Sequence, residues 1–339
     1  MSQEKTYNIT VLGAGAGGTA WGQTLARAGH KVILWDADTA HLKSLRKQRE
    51  NTRHYPGFPL SENISTQPDL DKVVKKADAV VLALPAAAQT EVATQICSLL
   101  PPQQILIQTG SGVRVSDGAL LTDVWSEAAG KPLRQAIITG PNFAQELMEE
   151  KYTAFTVASD DEHLPLEVGD MFNVPYMRPY YSTDAVSTQV AGAIRNVLAI
   201  AAGLCDGLEH PRMGINFKAA MMCRGLVEMQ RLAVALGGRP ETIMGLAGVG
   251  DVILHATSPL SRNYQLGTLV ARGMAPDTAA DQTGLAEGVA TARVVAYLAA
   301  ANGLQLSVIA AIDGIMQGDT DPTTAFTLLV EQPRKYEFV

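Results

Sequence analysis

The chain has 339 residues, 47% of them hydrophobic and 18% charged, proportions that suit a packed protein and exclude disorder as its main state. A formal net charge of −7, with no lysine or arginine run longer than two residues, removes the electrostatic footprint of a nucleic-acid binder. This length favours two domains over one.

No uncharged apolar stretch reaches the ~18 residues of a spanning helix, and the opening MSQEKTYNIT lacks a signal peptide's apolar middle. The expectation is a cytoplasmic protein without a membrane partner. Cys97, Cys205 and Cys223 are an odd set without CxxC spacing, which predicts buried free thiols rather than disulfides or a zinc site. His30, His41, His54, His163, His210 and His255 never form a metal-ligand pair at helical spacing, so no metal is expected.

In chain order, short β-branched apolar runs alternate with segments of helical period, the pattern of a parallel sheet wrapped by helices. Strands are predicted over 8–12, 31–35, 79–84, 104–108 and 136–139, with crossover helices over 19–28, 39–47 and 90–99. Right-handed crossovers place the strand C-termini at one edge, where a ligand should bind. Two further strand-like runs, 152–159 and 176–181, extend the sheet. Beyond about Asp184 the texture turns to alanine-, leucine- and glycine-rich helical stretches. The boundaries read as a dinucleotide-binding domain over 1–186 and a helical substrate domain over 187–339, packed across a cleft because no flexible linker separates them.

Gly13, Gly15 and Gly18 fit GxGxxG directly after a strand and at the opening of a helix. In that context Gly13 permits the tight turn, Gly15 lets the backbone approach a pyrophosphate, and Gly18 allows close helix–strand packing. The helix N-terminus offers unpaired N–H groups to the negative charge. The fold class is therefore an α/β Rossmann-type domain followed by an all-α C-terminal domain. Asp36, at the end of the second strand, stands where a ribose 2′-hydroxyl would be read, which favours NAD; the alternative is a solvated turn shared with Asp38.

Between Asp184 and Asp206 the only charged residue is Arg195. A guanidinium in an apolar helix needs an anionic or carbonyl partner. Two readings stand: a buried ion pair, with Asp251 a candidate, or a role facing ligand. Asp251 follows three glycines in Gly245-Leu246-Ala247-Gly248-Val249-Gly250, which suits a close-packed backbone turn more than a helix interior. Ser261-Arg262-Asn263 offers a guanidinium fork beside hydroxyl and amide groups, a set suited to phosphate or carboxylate oxygens and equally to a helix cap.

These pieces, in this order, resemble the NAD-dependent glycerol-3-phosphate dehydrogenase family over almost the whole chain. The matching segments are GAGAGGTAWG, Gly140-Pro141-Asn142-Phe143-Ala144 with Glu146, AGAIRNVLAIAAG, Asn216-Phe217-Lys218-Ala219 with Arg224-Gly225, GLAGVGD, SRN and Glu287-Gly288. The resemblance implies hydride transfer between NADH and dihydroxyacetone phosphate or a related anionic carbonyl compound, in a homodimer. By resemblance Asn196 lies at the active site, Asp251 orients the acid–base group, Arg262 and Asn263 bind the substrate phosphate with Ser261 beside them, and Glu287 touches the cofactor side, where Pro85 and Ala144 are further candidates.

Two departures stand out. The family carries a lysine where this chain has Arg195, and a second lysine where it reads Gln108-Thr109-Gly110-Ser111-Gly112. Arginine keeps its proton above pH ~12 and can polarise an oxygen or hold an anion but donates poorly. A water or Lys218 is then left to supply the proton. The alternatives are a reductase whose substrate carries a carboxylate clamped by Arg195, and a non-catalytic NAD-binding homologue.

Overall fold

The computed structural model describes residues 5–110, 112–284, 287–333 and 336. The chain divides into two units, Met1–Arg114 with Ala119–Gln189, and Val115–Gly118 with Val190–Val339.

The first unit is built on an eight-stranded sheet in the order β3-β2-β1-β4-β5-β6-β7-β8. Its strands are β1 (Asn8–Leu12), β2 (Lys31–Trp35), β3 (Ile64–Thr66), β4 (Ala79–Leu82), β5 (Ile105–Gln108), β6 (Arg134–Thr139), β7 (Thr153–Ala158) and β8 (Met177–Ser182). Every pairing is parallel except β6 with β7. Helices α1 (Ala16–Arg27), α2 (Thr39–Gln48), α3 (Leu70–Lys75), α4 (Ala86–Ile96), α5 (Leu121–Ala129), α6 (Ala144–Met148) and α7 (Leu164–Asp170) occur between the strands.

The sheet is buried on both faces, which is why its strands read as continuous apolar runs. Ala79 and Val81 join one core with Ile9, Val11, Ile107 and Phe155, whereas Val80 and Leu82 join the other with Val74, Ile96 and Trp125. In the first core Trp21, Phe155 and Phe172 meet edge-on with centroids 5.4–5.9 Å apart, the geometry that aligns ring edges with ring faces. In the second, the fully buried Trp125 satisfies its indole N–H on Gln89 Oε1 at 2.8 Å.

Register determines where the loops emerge. Leu12 pairs with Trp35 and with Leu82, and Leu82 pairs with Gln108, so β1, β2, β4 and β5 end level. The turns that begin at Gly13, Asp36, Ala83 and Thr109 therefore leave the sheet at one edge.

The second unit is helical. It contains most of α8 (Ala185–Gly207), then α9 (Ile215–Ala235), α10 (Pro240–Ile243), α11 (Asp251–Thr257), α12 (Arg262–Ala271), α13 (Pro276–Thr283), α14 (Glu287–Ala301), α15 (Ser307–Met316) and α16 (Pro322–Val330). Helix α8 is long and apolar enough to cross a membrane by composition, but 89% of its most apolar window is buried within the protein, as in a core helix. It crosses α12 at backbone contact: a Cβ on Gly203 would lie 2.0 Å from Tyr264 O, and one on Gly267 2.1 Å from Ile200 O. Glu228 of α9 is buried and accepts the Val308 and Ile309 N–H groups at 2.8 and 3.0 Å, capping the start of α15. Desolvation raises its carboxyl pKa, against the opposing pull of those N–H donors.

The structure departs from the sequence-based expectations in several places. Strand β3 was not anticipated, because three residues with one buried apolar side chain leave no periodic trace. Helix α4 starts at Ala86 rather than 90, since Pro85 caps it, and β4 stops at Leu82 rather than 84. Cys97 and Cys205 are buried, but Cys223 is exposed on the outer face of α9. The glycine-rich segment before Asp251 is a wide π-type helical turn, Leu246–Gly250, that runs directly into α11. Its glycines serve that packing, because a Cβ on Gly248 would sit 2.0 Å from Ile243 O.

Candidate functional site

In the first unit the glycine-rich loop lies at the C-terminal end of β1. Gly13 adopts φ +100°, in the region that favours glycine, and a Cβ there would meet Ala83 O at 2.5 Å. A Cβ on Gly18 would overlap Gly13 O at 1.8 Å, so α1 can seat on the loop only without one. Around Gly15 the opposite holds: an added Cβ would find nothing within 4 Å. That open position, ahead of the unpaired N–H groups of a 12-residue helix, fits a dinucleotide pyrophosphate.

Ala14, between the first two glycines, is held from both sides. Its N–H donates to Asp36 Oδ2 at 2.8 Å, while its carbonyl accepts from His41 Nε2 at 3.0 Å and Asn51 Nδ2 at 3.2 Å. Tyr55 OH donates to Ala16 O at 2.9 Å. His41, Asn51 and Tyr55 thus preorganise the loop, and sequence reasoning missed all three. The other Asp36 oxygen accepts the Asp38 N–H at 2.9 Å, so the half-buried carboxylate lies between the loop and the turn after β2. No arginine adjoins Asp36 in sequence, yet the fold brings Arg53 to Asp38 Oδ2 at 3.1 Å. At the end of β5 the Gln108 carboxamide is 1% exposed, with neither Nε2 nor Oε1 hydrogen-bonded among the described residues. Pro85 is exposed at the N-terminus of α4, and Ala144, partly buried, opens α6 against the sheet core. Ser111 lies outside the described residues.

In the second unit Arg195, the one charged residue between Asp184 and Asp206, finds its partner. Arg195 Nη1 lies 2.9 Å from Asp251 Oδ2, with the carboxylate fully buried and the arginine side chain 13% exposed. Arg195 Nε donates to Gly192 O at 3.3 Å. A third group completes the cluster: His255, one turn along α11, places Nε2 3.3 Å from Arg195 Nη1 and Nδ1 3.0 Å from Asp251 Oδ1. Nothing in the sequence marks His255 beyond its spacing of four from Asp251.

Ser261 caps α12, its Oγ accepting the Tyr264 N–H at 3.3 Å, so the cap reading of Ser-Arg-Asn holds for the serine. Arg262 is exposed at the first position of that helix, with Nη1 3.3 Å from Gly284 O. Asn263 is buried and donates from Nδ2 to Asn196 Oδ1 at 3.0 Å, linking α12 to α8 beside Arg195. Asn263 Oδ1 has no hydrogen bond among the described residues, and a Cβ on Gly288 would lie 2.3 Å from it. Glu287 opens α14 immediately before that glycine.

Lys218 is placed elsewhere. Its Nζ pairs with Asp206 Oδ2, which also accepts from Tyr264 OH at 2.7 Å. Burial and the same carboxylate push the Tyr264 phenol up to about 12. Lys218 is thus neutralised in a separate cluster. Among the described residues no three His, Cys, Asp or Glu side chains converge as a metal cage.

Comparison with known proteins gives the two units one setting. Residues 8–165 match the N-terminal domain, and residues 184–327 the C-terminal domain, of NAD-dependent glycerol-3-phosphate dehydrogenase. The glycerol-3-phosphate dehydrogenase [NAD(P)+] of Xanthomonas euvesicatoria is 36% identical over 98% of this chain and 97% of its own length. That of Rhodospirillum rubrum is 38% identical over 97% and 94%. The crystal structure of glycerol-3-phosphate dehydrogenase from Coxiella burnetii superposes with a TM-score of 0.91 at 31% identity, covering 96% of this chain and 99% of that one. Matched along both halves and nearly end to end, this chain belongs to the NAD-dependent glycerol-3-phosphate dehydrogenase family.

Proposed function

We propose that the chain transfers hydride between NADH and dihydroxyacetone phosphate, or a related small anionic carbonyl compound. The observation that carries this reading is the Arg195–Asp251 ion pair, 2.9 Å long with its arginine side chain still 13% exposed, next to the Asn196–Asn263 hydrogen bond that ties α8 to α12, the helix that opens on the exposed Arg262. A buried charged set of this kind costs desolvation energy, and such sets cluster at functional sites.

When bound, NADH would supply the hydride and its oxidised form would accept it. Gly13, Gly15 and Gly18 would hold the pyrophosphate and Asp36 the adenosine ribose, with Pro85, Ala144 and Glu287 as further candidate contacts. Arg195 polarises the substrate oxygen and stabilises the charge that develops there. Asp251 fixes the guanidinium, Asn196 borders the reacting carbon, and Arg262 with Asn263 grips the phosphate, on the ledge that the Ser261 cap forms. Lys218, already paired with Asp206, is given no part in proton transfer.

The test is NADH oxidation with dihydroxyacetone phosphate beside a panel of phosphorylated ketones and 2-oxo acids. Turnover restricted to phosphorylated ketones supports the proposal. A preference for 2-oxo acids would replace it with the second reading, in which the planar guanidinium of Arg195 clamps a substrate carboxylate. NADH should bind more tightly than NADPH, because a 2′-phosphate would face the Asp36 carboxylate; equal affinity in a fluorescence titration would withdraw that role and point to Arg53. The reading also places a homodimer in the cytoplasm. Ile215, Met244, Tyr297 and Val330, exposed on the helical unit, support self-association, and light scattering tests it.

A further inference from the structure

His255 completes the Arg195–Asp251 cluster and has no part in the scheme above. Its ring nitrogens face chemically different neighbours. Nδ1 lies 2.9 Å from the Asp251 backbone oxygen and 3.0 Å from Asp251 Oδ1. A carbonyl and a carboxylate only accept, so Nδ1 carries the hydrogen. Nε2 lies 3.3 Å from Arg195 Nη1, and a guanidinium only donates, so Nε2 presents its lone pair. The tautomer follows from the neighbours: Nδ1–H anchored on Asp251, and a basic Nε2 turned toward the guanidinium that would hold the substrate oxygen. The ring is not sealed in, its side chain being 13% exposed, as is that of Arg195.

We propose that His255 Nε2 is the proton-transferring group of this enzyme, a role Arg195 beside it cannot fill. The proposal rests on the hydride-transfer reading. In the oxidising direction the substrate O–H bond breaks and its proton moves to the Nε2 lone pair. The O–H bonding electrons become the second bond of the new carbonyl, and the carbinol hydrogen leaves with its electron pair to oxidised nicotinamide. In the reducing direction the Nε2–H bond breaks and the proton neutralises the alkoxide as hydride arrives at carbon. A substrate oxygen that replaces Nε2 as the second acceptor of Arg195 Nη1 stays within reach of Nε2, because the two nitrogens are 3.3 Å apart. Asp251, through Nδ1, holds the ring orientation and stabilises the imidazolium, while Arg195 opposes that charge. Asp251, from the ring's own helix α11, and Arg195, from α8, are charged groups that face the ring among the described residues; Lys218 and Asp206 pair with each other.

The experiment combines kinetics with a readout on the protein alone. Histidine-selective 15N NMR of the wild type at mildly alkaline pH should show the His255 signal as the Nδ1–H tautomer. With dihydroxyacetone phosphate as substrate, His255→Gln should lower kcat about 100- to 1,000-fold, change KM less than threefold, and abolish the fall in reduction rate with rising pH. His255→Asn, which keeps a donor near Asp251 but has nothing at the Nε2 position, should behave alike. The NMR result needs no variant and so stands even where a substitution impairs folding. An Nε2–H tautomer, or a His255→Gln enzyme that keeps its kcat and pH profile in an active background, overturns the assignment of His255 alone. A wild type that accepts none of the carbonyl panel overturns both this assignment and the hydride-transfer reading.

Discussion

The glycine-rich loop and the Arg195 cluster, which serve one reaction under the proposed function, are built from different materials. The loop is a backbone site: its shape follows from absent side chains, and its polar groups are main-chain N–H and C=O groups held by Asp36, His41 and Asn51. The cluster is a side-chain site, assembled from Arg195 and two residues 56 and 60 positions further on. A backbone site tolerates little substitution, since a Cβ in the wrong place collides at 1.8 Å. A side-chain site can exchange its groups and keep its geometry. Here a guanidinium stands where the family resemblance calls for an ammonium, and an imidazole adjoins it.

Four substitutions probe that difference. Asp251→Ala should be the most costly, because it strands the Arg195 charge in a largely buried setting. A loss of about 3–5 kcal/mol in urea denaturation is expected, and a loss under 1 kcal/mol would mean that the cluster is solvated. Arg262→Ala should reduce kcat/KM for an anionic substrate by about 2–4 kcal/mol while leaving NADH affinity nearly unchanged. Unchanged kcat/KM would reduce Arg262 to a surface residue.

Gly18→Ala gives the mirror image. Forcing a methyl group against Gly13 O should cost about 1–3 kcal/mol, read as weaker NADH binding with the substrate KM largely retained. If both constants move together, the loop and the cluster do not act as separable parts. The smallest effect is the most diagnostic in sign. If the wild type reduces dihydroxyacetone phosphate only slowly, so that proton supply limits it, Arg195→Lys should raise the rate about tenfold, worth about 1.4 kcal/mol at the transition state, because lysine can both bind the oxygen and give up a proton. Where Arg195 clamps a second anionic group, the same change should slow the reaction, since lysine cannot reproduce the planar fork. No change in any steady-state constant would make Arg195 a structural ion-pair residue.

Legibility in the sequence followed the same divide. Strands β1, β2, β4 and β5 were readable because burial on both faces leaves unbroken apolar runs, and Gly13 and Gly18 because a backbone requirement imposes fixed spacing. β3 escaped because Ile64 is its one buried residue. The supports of the loop, His41, Asn51 and Tyr55, act from 27, 37 and 39 residues away and follow no motif. Arg195 was conspicuous as a charge in an apolar helix, which made Asp251 a reasonable partner. His255 was not, because a single histidine four residues after an aspartate gives no sign of what packs against it. Lys218 shows the reverse case: its place in a matching segment makes it a candidate proton donor alongside water, and the fold pairs it with Asp206, a contact that the sequence does not announce.

The crossing of α8 over α12 has one more consequence. Carbonyl oxygens sit within 2.1 Å of where a Cβ on Gly203 or Gly267 would be, so the two backbones are in direct contact at the crossing. Arg195 and Asn196 ride on one of these helices, Arg262 and Asn263 on the other. Under the proposed function they are the two jaws of a caliper locked at one setting by main-chain contact. Substrate length is then gauged by the backbone rather than by any side chain. A ketone phosphate longer by one methylene would be refused even by variants whose polar contacts are intact, and loosening the gauge would require changing the glycines rather than the groups that touch the substrate.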